Sequence, residues 1–274
     1  MRNYLGVLIN TLTLGKEDQS FLDAWWVDRL LQLAPIRFQR QTALTVLSWS
    51  PHYFYRKMDP EYQRLSHGEF TAREFERNRS TREKLCTAVL LPSLKADQVV
   101  LDYGCGPGFL AHSVSKHVQK VYGVDISRGA VACARVLNGS PSVTFIDPSR
   151  LDEVADASVD LAYSFAVVQH VTEAIFREIL ATIFRKLKSG GKVLIHVVLD
   201  DGNWKTEEEW RSDQSVIGRL KLKFALNCFR RSEEGVKEMF ESAGFHQIAI
   251  RRMDEMCPED FDDVCTQHLV SASK

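Results

Sequence analysis

The segment Val99-Val100-Leu101-Asp102-Tyr103-Gly104-Cys105-Gly106-Pro107-Gly108 constrains the fold of this chain more than any other. A short apolar, β-branched run passes into a glycine-rich turn and then straight into a helix, and a second run, Val121-Tyr122-Gly123-Val124, ends at Asp125. The alternation continues downstream: strands are expected near 99–103, 120–124, 142–146, 159–165 and 192–199, with helices near 109–117, 128–137 and 172–187. Short β-runs that alternate with amphipathic helices form parallel sheets joined by right-handed crossovers.

Glycines at the carboxyl end of a strand let the backbone turn tightly and approach a ligand that any Cβ would hold off. A dinucleotide loop needs G-x-G-x-x-G and rests a pyrophosphate on the helix N-terminus. Here the spacing is Gly104-x-Gly106-x-Gly108, and Phe109 stands where the third glycine should be. Asp102 adds a carboxylate that repels a pyrophosphate but suits a cationic amino-acid tail. The pattern therefore fits a cationic, phosphate-free nucleoside, with Asp125 placed for the ribose hydroxyls. A ligand-free glycine turn, and Asp125 as the cap of a helix over Ser127 to Leu137, are the structural alternatives.

On these residues the chain resembles the class I S-adenosylmethionine-dependent methyltransferases, whose first motif reads much like Leu101 to Gly108. The resemblance implies that Asp102, Gly104, Cys105, Gly106 and Gly108 hold S-adenosylmethionine, that Asp125 accepts from its ribose, and that Ile126 packs on the adenine. Phe145-Ile146-Asp147 resembles the segment whose acid accepts from the adenine amino group, although Asp147 before Pro148 can equally open a turn. Val159 to Ser164 looks like the fourth strand, with Ser164 at the cofactor, and Leu187 to Ile195 like the turn and fifth strand. The fold so implied is a three-layer, Rossmann-like α/β sheet of seven strands. Gln247 to Arg252 and Thr266 to Ser271 supply the closing antiparallel hairpin, after a helix that Ser232 caps and Gly244 ends.

Residues 1–95 read as an α-helical N-terminal extension or substrate cap, and 96–274 as the methyltransferase domain with an insertion at 200–231. Ser20 to Leu33 and Phe38 to Leu47 have helical spacing, and Pro35 separates them. Further helix starts are expected at Asp59-Pro60, at the capping box Thr71-x-x-Glu74, and at Ser80-x-x-Glu83.

A formal net charge of −1 argues against a protein built around a nucleic-acid backbone. Cys86, Cys105, Cys133, Cys228, Cys257 and Cys265 form no C-x-x-C pair, so they read as reduced thiols of a cytoplasmic protein without a zinc or redox site. The apolar stretch Tyr4 to Leu14 lacks secretory features and is shorter than the ~20 residues that cross a bilayer.

Substrate choice is expected in two aromatic and arginine-rich segments, Ser48 to Arg56 with Tyr62 to Arg82, and Asp200 to Arg231 with Trp204, Trp210, Arg211 and Lys221-x-Lys223. A hydroxyl acceptor needs a base, and His170, in the post-strand segment that the resemblance places near the methyl group, is the candidate; the structural alternative is a ring that only hydrogen-bonds the neighbouring loop and packs beside the cofactor. The segment Ser164-Phe165-Ala166-Val167 lacks the Asn/Asp-Pro-Pro-Tyr/Phe box of enzymes that methylate nucleobase amines. The expectation is O-methylation of a small molecule or glycoside. Methylation of RNA or another macromolecule, and a catalytically silent cofactor-binding subunit, are the alternatives.

Overall fold

The computed structural model describes residues 25–50, 53–54, 59–200, 202–216, 218–219, 222, 227–257 and 267–274. Seven strands, β1 (Val99–Tyr103), β2 (Lys120–Val124), β3 (Val143–Ile146), β4 (Val159–Ser164), β5 (Leu187–Val197), β6 (His246–Arg252) and β7 (His268–Ser273), form one sheet in the order β3-β2-β1-β4-β5-β7-β6. β1 to β5 run parallel, and β7 joins β5 and β6 antiparallel, as the sequence predicts. β1 pairs with β2 on one side and β4 on the other, so the chain order reverses at β1 and opens a crevice at its carboxyl end.

The extension contributes α1 (Trp25–Leu33), α2 (Ile36–Leu47) and α3 (His67–Leu85), and the crossovers supply α4 (Phe109–Val114), α5 (Arg128–Leu137) and α6 (Glu173–Lys186). Short α7 (Glu207–Ser212) lies in the insertion, and α8 (Glu233–Ser242) precedes the hairpin, capped by Ser232 and followed by Gly244 at φ +96°. One sheet face, with Leu101, Val124, Ile146 and Ile195, packs on α6 and α8 through Phe176, Ile183, Val236 and Phe240. The other, with Val100, Val121 and Leu161, packs on α4, α5 and the end of α3 with the turn after it through Leu110, Val131, Leu85 and Leu90. A third apolar cluster joins α1, α2 and α3 to the outer sides of α4 and α5, among them Val27, Leu47, Phe75, Phe109 and Cys133. The extension thus covers the two helices that leave the glycine turn and Asp125.

Several boundaries differ from the sequence expectation. α3 begins at His67, where Ser66 Oγ accepts from Glu69 N and Glu69 Oε2 accepts from Ser66 N at 2.8 Å in a reciprocal capping box. Thr71 and Ser80 therefore lie inside this helix, and the Thr71 hydroxyl donates to Gly68 O instead of capping. Glu74 is not a capping partner because its side chain is buried. Asp59-Pro60 opens hydrogen-bonded turns, with Tyr62 N donating to Asp59 O, rather than a helix. α2 starts at Ile36, directly after Pro35, and α4 ends at Val114, earlier than expected. The expected positions Ser20 to Ala24, Pro51, His52, Tyr55, Arg56, Lys221, Lys223, Cys265 and Thr266 lie outside the described residues. Among those described, no helix is long and apolar enough to cross a membrane.

Candidate active site

At the end of β1 the backbone turns through Gly104 (φ +87°), Gly106 (φ +52°) and Gly108 (φ +79°). These left-handed values disfavour residues with a Cβ. The turn is tied to β2: Gly104 N and Cys105 N both donate to Val124 O, at 2.7 and 3.0 Å. Pro107 O accepts from buried Asn138 Nδ2 at 2.8 Å, which fixes the far side of the turn to the end of α5. A Cβ on Gly104 would lie 2.2 Å from the Val167 side chain, on Gly108 2.4 Å from the Phe145 ring, and on Gly106 2.7 Å from the Tyr53 hydroxyl. Val167 follows β4, Phe145 belongs to β3 and Tyr53 comes from the extension, so three parts of the chain meet at this turn.

Asp125 directly follows β2 and is not itself the cap of the helix that begins at Arg128; it holds the residue that is. Its Oδ2 accepts from Gly106 N and its Oδ1 from Ser127 N, each at 2.8 Å. Ser127 Oγ in turn accepts from Ala130 N and caps α5. The carboxylate therefore braces the glycine turn against the start of α5. Ile126 is 84% exposed, an apolar side chain standing outward beside the turn. Asp147 accepts from Ser149 N at 3.0 Å and from the Ser149 hydroxyl, and the hydroxyl bond is the main reason its carboxyl is held below the usual range. Its side chain makes the turn that Pro148 opens.

Asp102 is buried, and burial pushes its carboxyl up to about 8, with Asp125 adding to the rise and Tyr163 and Arg82 opposing it. Its Oδ2 and the Ser164 Oγ at the end of β4 have no hydrogen-bond partner among the described residues. Cys105 is buried beside both carboxylates, and burial holds its thiol in the protonated form. Buried polar atoms in folded proteins are almost always paired. An orphaned carboxylate oxygen at the strand end, glycines without Cβ and an exposed apolar residue after the ribose acid together fit the residues expected to hold a cationic nucleoside.

Asp102 makes stability depend on pH. In the unfolded chain it ionises near 3.8, and in the folded protein near 8, so between these values the native state binds more protons. Its contribution is absent below about pH 4 and becomes increasingly unfavourable as pH rises toward 8, by up to about 1.4 kcal/mol per pH unit. Asp102→Asn is accordingly expected to gain stability over the wild type progressively from pH 5 to pH 8 in urea unfolding of the ligand-free protein. An offset constant across that range would show that Asp102 is ionised throughout.

After β4, Ala166 adopts φ +57°, and its N–H donates to His196 Nδ1 at 3.2 Å while the Phe165 and His196 rings stack at 5.8 Å. A short 3-10 turn, Val168–His170, follows. His170 Nδ1 lies 3.0 Å from the Asn227 carbonyl and 3.5 Å from Cys228 Sγ, so the insertion holds this ring. A carbonyl only accepts, so Nδ1 carries the proton, and a neutral ring then has its basic lone pair on Nε2. Buried Arg231, stacked 5.3 Å over Phe176, donates to Val171 O and secures the same corner. His196, Arg231 and Tyr53 had no spacing signal in sequence; each reaches this corner through a tertiary contact.

A family model described as a methyltransferase domain matches residues 101–195. An S-adenosyl-L-methionine-dependent Diels-Alderase, iccD, from Talaromyces variabilis is 28% identical over 65% of this chain and 62% of its own length. Phosphoethanolamine N-methyltransferase 1 from Triticum aestivum is 34% identical over 57% of this chain and 30% of its own length. This chain thus spans less than two thirds of those relatives. Among solved structures, an S-adenosylmethionine dependent methyltransferase from Mesorhizobium loti is 18% identical, with a TM-score of 0.50 over 70% of this chain and 98% of that one, a likeness of fold. With the glycine turn, the acid after β2 and the β3-β2-β1-β4-β5-β7-β6 sheet all in place, residues 101–195 form a methyltransferase domain of the class I, S-adenosylmethionine-dependent kind.

Proposed function

We propose that the protein transfers a methyl group from S-adenosylmethionine to a hydroxyl of a small molecule or glycoside. Bound S-adenosylmethionine supplies a methyl already activated on a sulfonium, so the protein's task is to align the acceptor, exclude water and manage its proton. In this reading the glycine turn and Asp125 hold the ribose end, Asp102, neutral in the free protein below about pH 8, ionises against the cationic tail that favours its charged form, Ile126 covers one face of the base, and Ser164 and Cys105 line the floor. Asp147 stands at the adenine edge. The helical extension caps the cofactor half, and the insertion closes the acceptor side.

The observation that carries the hydroxyl assignment is His170, held through Nδ1 by Asn227 O at 3.0 Å. A ring fixed in that tautomer presents Nε2 to take the hydroxyl proton as the oxygen attacks. An amine acceptor is the second reading, favoured by the name of the wheat relative, and an amine needs its base less. Methyl-labelled S-adenosylmethionine offered with matched phenol, sugar and amine acceptors tests the proposal. Label in the hydroxyl acceptors is expected, with a rate that rises with pH through the histidine range. Label in amines alone moves the protein to the second reading. Tight binding of S-adenosylhomocysteine with no transfer to any acceptor identifies a silent cofactor-binding subunit, and a steep salt dependence of RNA binding points to a macromolecular acceptor.

A further inference from the structure

We propose that Glu74, Arg77 and Asn78 of α3 form a buried clamp on the backbone of Tyr53 that positions the Tyr53 ring against the glycine turn, making the helical extension a working part of the cofactor site. The inference rests on the cofactor reading above and concerns residues outside the sheet domain.

Two side chains converge on one main-chain acceptor. Asn78 Nδ2 donates to Tyr53 O at 2.9 Å, and Arg77 Nη2 donates to the same oxygen at 3.1 Å. Arg77 is itself held by Glu74, with Nε donating to Oε1 at 2.6 Å, and the Glu74 side chain is wholly buried. Asn78 also donates to Glu74 O at 2.9 Å, which fixes its amide within the helix. A buried ion pair adds little net stability over a packed apolar pair of the same volume, because desolvation offsets the attraction. What the arrangement adds is direction: a guanidinium oriented by the Glu74 carboxylate and an amide oriented by the Glu74 main-chain carbonyl set the place of one carbonyl.

The clamped residue lies at the site. A Cβ on Gly106 would stand 2.7 Å from the Tyr53 hydroxyl oxygen, so the phenol rests on the residue whose N–H Asp125 holds. The frame is anchored on the other side as well. Phe75 of α3 packs 5.5 Å from Phe109, the residue that follows Gly108, and carries Arg40 and Arg79 over its faces at 4.5 and 5.5 Å. Buried Phe54, next to Tyr53, meets Phe70 of the same helix edge-on at 6.4 Å. α3 therefore grips both the approach to the turn and its exit, and a change in the clamp reaches the ligand through Tyr53.

The test uses the whole chain and S-adenosylhomocysteine as the probe. Asn78→Leu keeps the volume and removes both donors, and Arg77→Lys keeps the charge beside Glu74 but loses the fork that serves two acceptors. In calorimetric titration each is expected to weaken S-adenosylhomocysteine about tenfold, the scale of one or two lost hydrogen bonds. The same substitution in a Tyr53→Ala background is expected to change affinity less than about twofold, because the positioned group is gone. In the ligand-free protein, hydrogen exchange is expected to quicken at residues 53–54 and at the Gly106 amide while β5 and β7 keep their protection. An equal loss of affinity in both backgrounds assigns the cluster a purely structural role and overturns the clamp. So does unchanged affinity in Tyr53→Ala or unchanged exchange at Gly106. Variants that show the quickened exchange, beside a wild type that binds no S-adenosylhomocysteine, overturn the cofactor reading instead.

Discussion

Gly106→Val is expected to abolish measurable cofactor binding, a loss of at least 100-fold, while the sheet and helices persist. The residue sits at φ +52°, where a β-branched side chain is strained by about 1–2 kcal/mol. Its Cβ would also lie 2.7 Å from the Tyr53 hydroxyl, inside any real contact distance, so the phenol or the turn must move. A shift of the turn disturbs the Gly106 N–H that Asp125 Oδ2 accepts, and in the proposed reading a side chain on this residue also stands where the ligand approaches the backbone. Circular dichroism and calorimetry with S-adenosylhomocysteine read the two halves of the expectation separately. Native spectra with binding within a few-fold of wild type would mean that the ligand never approaches this backbone.

His170→Ala is expected to lower turnover with a hydroxyl acceptor about 10²-fold or more while leaving affinity for S-adenosylhomocysteine near wild type, since general-base catalysis commonly contributes 10²–10⁴. The substitution removes the ring and its bond to Asn227 O but leaves the backbone bond from His170 N to Val167 O intact. In the wild type the rate rises as pH climbs through the histidine pKa, because the neutral ring is the competent form, and in the variant that inflection disappears. His170→Gln separates the roles of the ring: an amide can still donate to Asn227 O but takes up no proton. Recovery of full activity in His170→Gln would show that the ring only ties the insertion to the post-β4 turn.

The parts of the site that local chemistry dictates were legible from sequence. The β-run, the positive-φ glycines and the acid after β2 each follow from residue type and spacing, and they occupy β1, the turn and the end of β2 as expected. α3 shows where that reasoning stops. The chain offers Ser66-x-x-Glu69, Thr71-x-x-Glu74 and Ser80-x-x-Glu83 in succession, and all three satisfy the capping pattern. Only burial separates them: Phe70 and Phe75 must face the third apolar cluster, which carries the helix straight through Thr71, and buried Glu74 turns to Arg77. Asp147 was ambiguous for a related reason, since a carboxylate before Pro148 is drawn to the nearest free N–H, that of Ser149. Tyr53 at the glycine turn was beyond reach, because a contact across 53 residues of sequence leaves no periodicity to read.

The third apolar cluster has a practical meaning for anyone reshaping this protein. Phe109, Ala130, Ala132, Cys133 and Leu137 belong to the crossover helices, yet their buried neighbours are Val27, Leu44, Leu47 and Phe75 of the extension. Trimming the chain to the sheet domain would leave these five side chains as an oily surface inviting self-association. Grafting a foreign extension would demand that the outer faces of α4 and α5 travel with it. The unit of exchange between such proteins is therefore the extension together with the two helices beneath it, a graft whose seams run through the glycine turn, the two loops flanking β2 and the connection into β3.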